Sequence, residues 1–220
     1  MSKNIIAILI LICGAPQLYA QGNWGVRVNQ NTDFFSVESK GSKVQFARIS
    51  AGVSYVTKKY THDLELFVPT VKGSSPTFPW RYDKFENVLF TQRFSSYSMR
   101  YSVVRNFQVN NSFYFVLGGA LNPYYLKVER LPTNENIAYY NYENFVGVSL
   151  NVVPGIKVIA TKNLSFVLDC PLKLFDYYHK VYDVKNPAIP VRQQKMPSDH
   201  AKFFMNAFTI RLGASYVFGK

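Results

Sequence analysis

The last stretch of the chain, Phe203 to Phe218, alternates between two kinds of side chain at nearly every step. One row reads Phe204, Asn206, Phe208, Ile210, Leu212, Ala214, Tyr216 and Phe218; the interleaved row reads Met205, Ala207, Thr209, Arg211, Gly213, Ser215 and Val217. A period of two places these rows on opposite faces of a β-strand. One face is apolar with aromatics at both ends; the other is small, polar or charged. The length of the strand and its aromatic ends predict a greasy face turned toward lipid.

Bulk properties narrow the alternatives. The 220 residues suit one barrel-sized domain. Hydrophobic residues make up 48% of the chain, yet mean hydropathy is only -0.07. No stretch beyond residue 20 approaches the roughly 18–20 consecutive apolar residues that a membrane helix needs. The one long apolar run, Ile5–Cys13, lies between Lys3 and Leu18-Tyr19-Ala20. That arrangement predicts a secretory signal peptide over residues 1–20, cleaved after Ala20, and a barrel domain over 21–220. Ile12 precedes Cys13 where a lipoprotein signal has a small residue, so lipidation is not expected. Cleavage leaves Cys170 alone, and no internal disulfide can form. The formal charge of +12 becomes 24 − 13 = +11 once Lys3 is removed. A basic exported chain meets anionic lipid or polysaccharide before it meets nucleic acid, and no nucleic-acid motif is present.

Seven further strands can be read upstream of the last. They lie near Asn23–Asn29, Val44–Thr57, His62–Pro69, Ser95–Val104, Ser112–Leu126, a stretch from about Glu143 to Val152, and Leu164–Phe175. Pro154-Gly155 predicts a bulge or kink in the lower half of the sixth, because proline cannot donate to a ladder. The connections run long, short, long, short, long, short, long. Outer-membrane barrels have short turns on one side and long loops on the other, so the fold expected is an all-β, eight-stranded antiparallel up-and-down transmembrane barrel. In lipid every backbone polar group must pair within the protein, which forces such a sheet to close. Parity then sends Arg27, Arg48, Arg100, Lys173 and Arg211 to the lumen, with Asp63, Glu65 and Asp169. Five cations and three carboxylates in a lumen only wide enough for side chains predict a paired polar plug.

On these residues the chain resembles the small outer-membrane β-barrel families of the OmpA/OmpX and porin-like type. The resemblance covers essentially the whole chain after residue 20. Its most specific piece is Leu212-Gly213-Ala214-Ser215-Tyr216-Val217-Phe218, which looks like the terminal aromatic signal read by the barrel-assembly machinery, with Tyr216 and Phe218 as its aromatics; Gly219-Lys220 follow it. The resemblance implies insertion in a Gram-negative outer membrane. It leaves function open among anchors, adhesins, lipid-modifying enzymes and narrow channels.

The chemistry-bearing stretch outside the lumen is the connection Asp176–Lys202, read as a basic loop carrying Lys180, Lys185, Arg192, Lys195 and Lys202. Lipopolysaccharide phosphates or anionic glycans are its expected ligands, set against a plain solvated loop. Ser198-Asp199-His200 holds the residue types of a hydrolase triad, but neighbours in sequence rarely converge as a triad must. His179, His200 and Asp183 match no metal-ligand spacing. Cys170 falls in the outward row as a small apolar residue. No cofactor, metal or catalytic residue is expected. The leading expectation is a non-enzymatic envelope anchor whose loops contact lipopolysaccharide, glycan or an envelope protein; the alternatives are a narrow channel or small-solute transporter, a lipid A-modifying enzyme, and a secreted soluble barrel.

Overall fold

The computed structural model describes residues 22–37, 42–68, 70–83, 86–132, 140–185, 190–203 and 207–218. The expected signal peptide, its cleavage point and Cys13 lie outside these residues, as do Phe204 and Asn206. The strands in chain order are β1 (Asn23–Val37), β2 (Ser42–Val56), β3 (Tyr60–Phe67), β4 (Thr70–Asp83), β5 (Glu86–Gln108), β6 (Phe113–Pro132), β7 (Tyr140–Ile159), β8 (Leu164–Asp169), β9 (Leu172–Lys185), β10 (Lys195–Phe203) and β11 (Ala207–Val217). One short 3₁₀ turn, Val191–Gln193, precedes β10.

Every pairing is antiparallel, and the strands form one closed wall of eight staves. β3 and β4 share one stave against β5, and β8 and β9 share another against β7. β10 and β11 share the last, and closure comes from β11 on β1, with Gly25 opposite Val217 and Phe35 opposite Ala207. The hand of the alternation is inside-out. Trp24 and Leu66 keep 62% and 64% of their surface exposed, whereas Glu65 and Arg211 keep 0%. A polar lumen behind an apolar exterior is stable only where the exterior meets lipid. The lumen has two sides. Charged and polar residues of β1, β2, β3, β8 and β11 fill one, and the apolar cluster Val104, Val116, Ala120 and Val153 lines the other.

Two aromatic bands ring the exterior. The lower one holds the Trp24–Tyr55 pair (centroids 5.1 Å apart) and the Phe113–Phe115 pair. The upper one holds the Tyr97–Tyr125 and Phe175–Phe203 pairs. Along β6, Phe115 and Tyr125 are ten residues apart. At ~3.4 Å per residue and ~40° tilt this is about 25 Å, the height of a hydrocarbon band.

Four sequence expectations need correction. The strand expected to stop at Asn29 runs to Val37. Polar residues such as Asn31 do not end it, because they face a polar lumen. The long segment Thr70–Phe94 between the third and fourth expected strands, in which Val88-Leu89-Phe90 alone read as a strand extension, is a paired hairpin: β4 lies on β5 with register shifts between Ser74 and Phe78 and between Arg81 and Asp83. Its prolines are tolerated because β4 pairs with nothing but β5 among the described residues. The Asp176–Lys202 loop is likewise mostly strand, β9 against β10 from Phe203↔Phe175 to Lys195↔Asp183. The length asymmetry that looked like long loops is therefore carried mainly by strands that outrun the membrane on one side. Finally, β7 keeps unbroken register with β6 through Pro154 and Gly155. The interruption sits across from it, at Cys170 and Pro171 between β8 and β9, where Cys170 N–H donates to the Pro154 carbonyl at 2.9 Å. Pro154 has no N–H to give that neighbour, so the neighbour breaks instead.

Candidate functional site

The lumen is crossed by a connected ionic network. Asp63 and Glu65 alternate with outward leucines on β3, Arg27 and Asn29 flank the outward Val28 on β1, and Asp169 ends β8. Arg211 on β11 stands directly opposite Asp169. It donates to both carboxylate oxygens of Asp169 at 2.6 Å, through Nε and Nη2, and through Nη1 to Glu65 Oε1. Arg27 donates to Asp63 Oδ2 at 2.7 Å and to Asp169 Oδ2 at 3.1 Å. Neutral groups complete the set. Asn29 accepts from Arg27 Nε at 2.7 Å and donates to Glu65 Oε2 at 2.9 Å; Ser50 donates to the same oxygen at 3.0 Å, and Ser54 to Asp63 at 2.5 Å. Each carboxylate thus takes at least two donors, as a buried charge requires.

The other residues assigned to the lumen stand higher. Arg100, buried, and Arg48, half-buried, place their guanidiniums 5.1 and 4.6 Å from the Phe67 ring centre. Arg48 also donates to Ser98 Oγ at 3.2 Å. Lys173 lies at the upper mouth, 3.2 Å from Asp176, which also accepts from Tyr124 OH at 3.0 Å. Asp176 points inward because β9 carries an extra residue. Leu150 pairs with Phe175 but Asn151 with Lys173, so Leu174 is bulged out and parity shifts above it.

Sequence reasoning did not single out Asn29, Ser50 and Ser54. Their inward parity on strands opposite Asp63 and Glu65 was the available signal. It also missed the cluster above the membrane, where Glu143 accepts from Arg130 at 2.5 Å and lies 3.2 Å from Lys180. Burial pushes the Glu143 carboxyl up, but the hydrogen bond and charge of Arg130, followed by Lys180, outweigh it and hold it below the usual carboxylate range.

The basic residues assigned to one loop are spread along the outer hairpin. Lys180 pairs with Glu143, and Lys185 lies 3.2 Å from Asp183. Arg192 and Lys195 are exposed at the tip, and Lys202 is half-buried lower on β10. The would-be triad is divided by strand alternation. Ser198 Oγ and His200 Nε2 are 3.0 Å apart, while Asp199 points to the opposite face and bonds His179 Nδ1 at 2.9 Å. The His179 hydrogen bond keeps the Asp199 carboxyl below its ordinary range. Among the described residues no three His, Cys, Asp or Glu side chains gather as metal ligands. At the other end Tyr216 and Phe218 are exposed and meet edge-on at 5.6 Å. Phe218 N–H donates to the Trp24 carbonyl at 2.7 Å, joining the end of the closing strand to the start of β1.

No protein-family model matches the chain, and no curated protein sequence does. Solved structures do. The outer membrane protein OprG from Pseudomonas aeruginosa is 11% identical, over 92% of this chain and 98% of that one, with a TM-score of 0.57. The outer membrane protein AlkL, solved in lipid bilayers, is 14% identical over 92% of each chain, with a TM-score of 0.50. At such identities the likeness speaks for architecture alone. The chain has the fold of the small eight-stranded outer-membrane β-barrels.

Proposed function

We propose that this chain is a non-enzymatic outer-membrane protein, in which the barrel is an anchor and the outer sheet presents a basic hairpin to an anionic partner at the cell surface. The observation that carries the reading is the division of labour along the strands. The lumen is crossed by a network in which Asp63, Glu65 and Asp169 each take at least two donors, which supports a plug over an open pore. The strands β4, β5, β6, β7, β9 and β10 continue as a sheet beyond the upper aromatic band. Arg192 and Lys195 are exposed at its hairpin tip, and Lys202 stands lower on the same strand. Lipopolysaccharide phosphates are the nearest dense anions to such a sheet, which makes them the first ligand to test. Tyr216 and Phe218, exposed at the end of the closing strand, fit a role as the aromatic signal for the assembly machinery.

Purified barrel in detergent should bind immobilised lipopolysaccharide in a salt-sensitive way. The triple variant Arg192→Gln/Lys195→Gln/Lys202→Gln should weaken that binding several-fold while keeping the mobility shift on boiling that marks a folded barrel. Equal binding by the variant would remove the hairpin from the proposal. Steady single-channel conductance through the unaltered chain would replace the anchor reading with a channel.

A further inference from the structure

We propose that the three short turns and the rim beside them form a binding surface for anionic phospholipid headgroups of the periplasmic leaflet, centred on Arg105, Lys58 and Lys59. The inference rests on the membrane-spanning orientation proposed above, but concerns the opposite end of the molecule.

The first observation is the sign of the charge. The turns 57–59, 109–112 and 160–163 and the strand ends next to them carry exposed Lys58, Lys59, Arg105 and Lys162 and, among the described residues, no exposed carboxylate. The outer end differs, since Lys127 and Lys185 there lie 2.6 and 3.2 Å from Glu129 and Asp183. The second observation is the direction of Arg105. It continues the outward row of Tyr97, Met99, Tyr101 and Val103 on β5, while buried Arg100, Ser102 and Val104 face the lumen. A cation on a lipid-facing row is costly at the midplane and becomes tolerable only at the interface. Arg105 meets that condition. Its guanidinium lies 5.0 Å from the Phe107 ring centre, among the lower aromatics.

The third observation is that these groups are held together. Tyr60 is the cross-strand neighbour of Arg105, and Asn106 N–H donates to the Lys59 carbonyl at 2.8 Å. The turn between β2 and β3 is closed by Thr57 N–H to the Tyr60 carbonyl at 2.8 Å and by Tyr60 N–H to Thr57 Oγ1 at 2.9 Å. Lys58 and Lys59 therefore stay beside Arg105. A planar guanidinium offers two parallel donors to a phosphate, and the neighbouring ammonium groups add charge. Such short turns keep all three cations within a residue or two of aromatic side chains, at headgroup depth. That placement favours lipid over the more distant peptidoglycan.

The test is native mass spectrometry of the full detergent-purified barrel, offered phosphatidylglycerol and phosphatidylethanolamine at equal dose. The unaltered chain should retain phosphatidylglycerol preferentially. Each cation near an anionic surface is worth roughly fivefold in affinity, so Lys58→Gln/Lys59→Gln/Arg105→Gln should lower retention at least about tenfold and leave phosphatidylethanolamine unchanged. Arg105→Lys, which keeps the charge, should retain most of the binding and covers the case in which the triple variant does not fold. Equal phosphatidylglycerol retention by a triple variant that still shifts on boiling overturns the site alone, as does Arg105→Lys behaving like a full loss. Loss of binding to purified sacculi with unchanged lipid retention overturns it in favour of a glycan. Failure of the unaltered chain itself to shift on boiling or to enter vesicles overturns the membrane orientation, and this site with it.

Discussion

Glu65 and Glu143 are both buried glutamates meeting arginine, one inside the membrane band and one above it. Glu65 is fully enclosed and bonded by Arg211, Asn29 and Ser50. The Glu143 side chain keeps 11% of its surface, and its partners Arg130 and Lys180 keep 16% and 29%. Around Glu65 the wall is closed, every stave having two neighbours. Around Glu143 the sheet is open, since among the described residues β4 pairs only with β5 and β10 only with β9. The same chemistry therefore has two meanings. In the lumen a pair is cut off from water and salt, so breaking it leaves a bare charge in a low-dielectric space. In the outer sheet water and ions replace a lost partner, and the pair is weak and adjustable. The lower network holds the barrel shut, and the upper one leaves room for a competing ligand.

The largest expected effect follows from removing the cation that joins two carboxylates. Arg211→Ala should cost about 3–5 kcal/mol in urea unfolding from lipid vesicles, because Glu65 and Asp169 lose their shared partner. Replacing Arg211, Asp169 and Glu65 together by apolar residues should cost less than Arg211→Ala alone. If the triple change were the worse, the network would be contributing net stability rather than specifying closure, and the contrast with Glu143 would have to be redrawn.

The exterior gives the next effect. Leu66→Arg on the lipid face should cost ~2–4 kcal/mol by the same measurement. Val191→Arg, at a still more exposed apolar site on the outer turn, should leave the midpoint unchanged. Equal costs at both positions would mean that the outer turn also lies in lipid. Gly213→Val ranks below these. A Cβ at Gly213 would come within 2.0 Å of Asn29 Oδ1 and 3.2 Å of Arg27 Nε. The residue is glycine because the network needs that space, and crowding it should cost ~1–3 kcal/mol. A neutral result would show that Asn29 can move without disturbing Arg27.

The closed region was the legible one. Parity alone assigns Trp24, Val26 and Val28 outward and Arg27, Asp63, Glu65, Asp169 and Arg211 inward, because a two-residue period has no freedom once one face must be apolar. The open region was not legible in this way. Above the upper aromatics neither face has to be apolar, so Thr70–Phe94 and Asp176–Lys202 lose the alternation and read as long connections, with Val88-Leu89-Phe90 the one stretch suggesting a strand. Their valines, tyrosines and phenylalanines were the remaining sign of strand. The bulge at Leu174 hid Asp176 as well, since one extra residue reverses every later assignment on β9. Partner choice within the lumen was equally invisible. Sequence supplies the inward list, but only the stagger of the staves decides that Arg211 meets Asp169 and Glu65 rather than Asp63.

The smallest effect is the one that tests the comparison from the upper side. Arg130 and Lys180 hold the Glu143 carboxyl below its ordinary value against the opposing pull of burial. A carboxylate depressed on folding contributes stability that is complete above its unfolded value of about 4.3 and is lost as pH falls through the lower folded value. Amide exchange of the outer parts of β7 and β9 should therefore quicken as pH drops below about 4, after correction for intrinsic rates. Glu143→Gln should abolish that step, and at pH 7 should weaken local protection by no more than ~1 kcal/mol, as expected of a partly exposed pair. Added salt should shrink the difference between Glu143→Gln and the unaltered chain, while leaving the Arg211→Ala deficit intact. If salt left both deficits untouched, the outer cluster would be as secluded as the lumen. The open sheet would then be a second closed compartment, and a competing anionic ligand would have no access to Lys180 or Arg130.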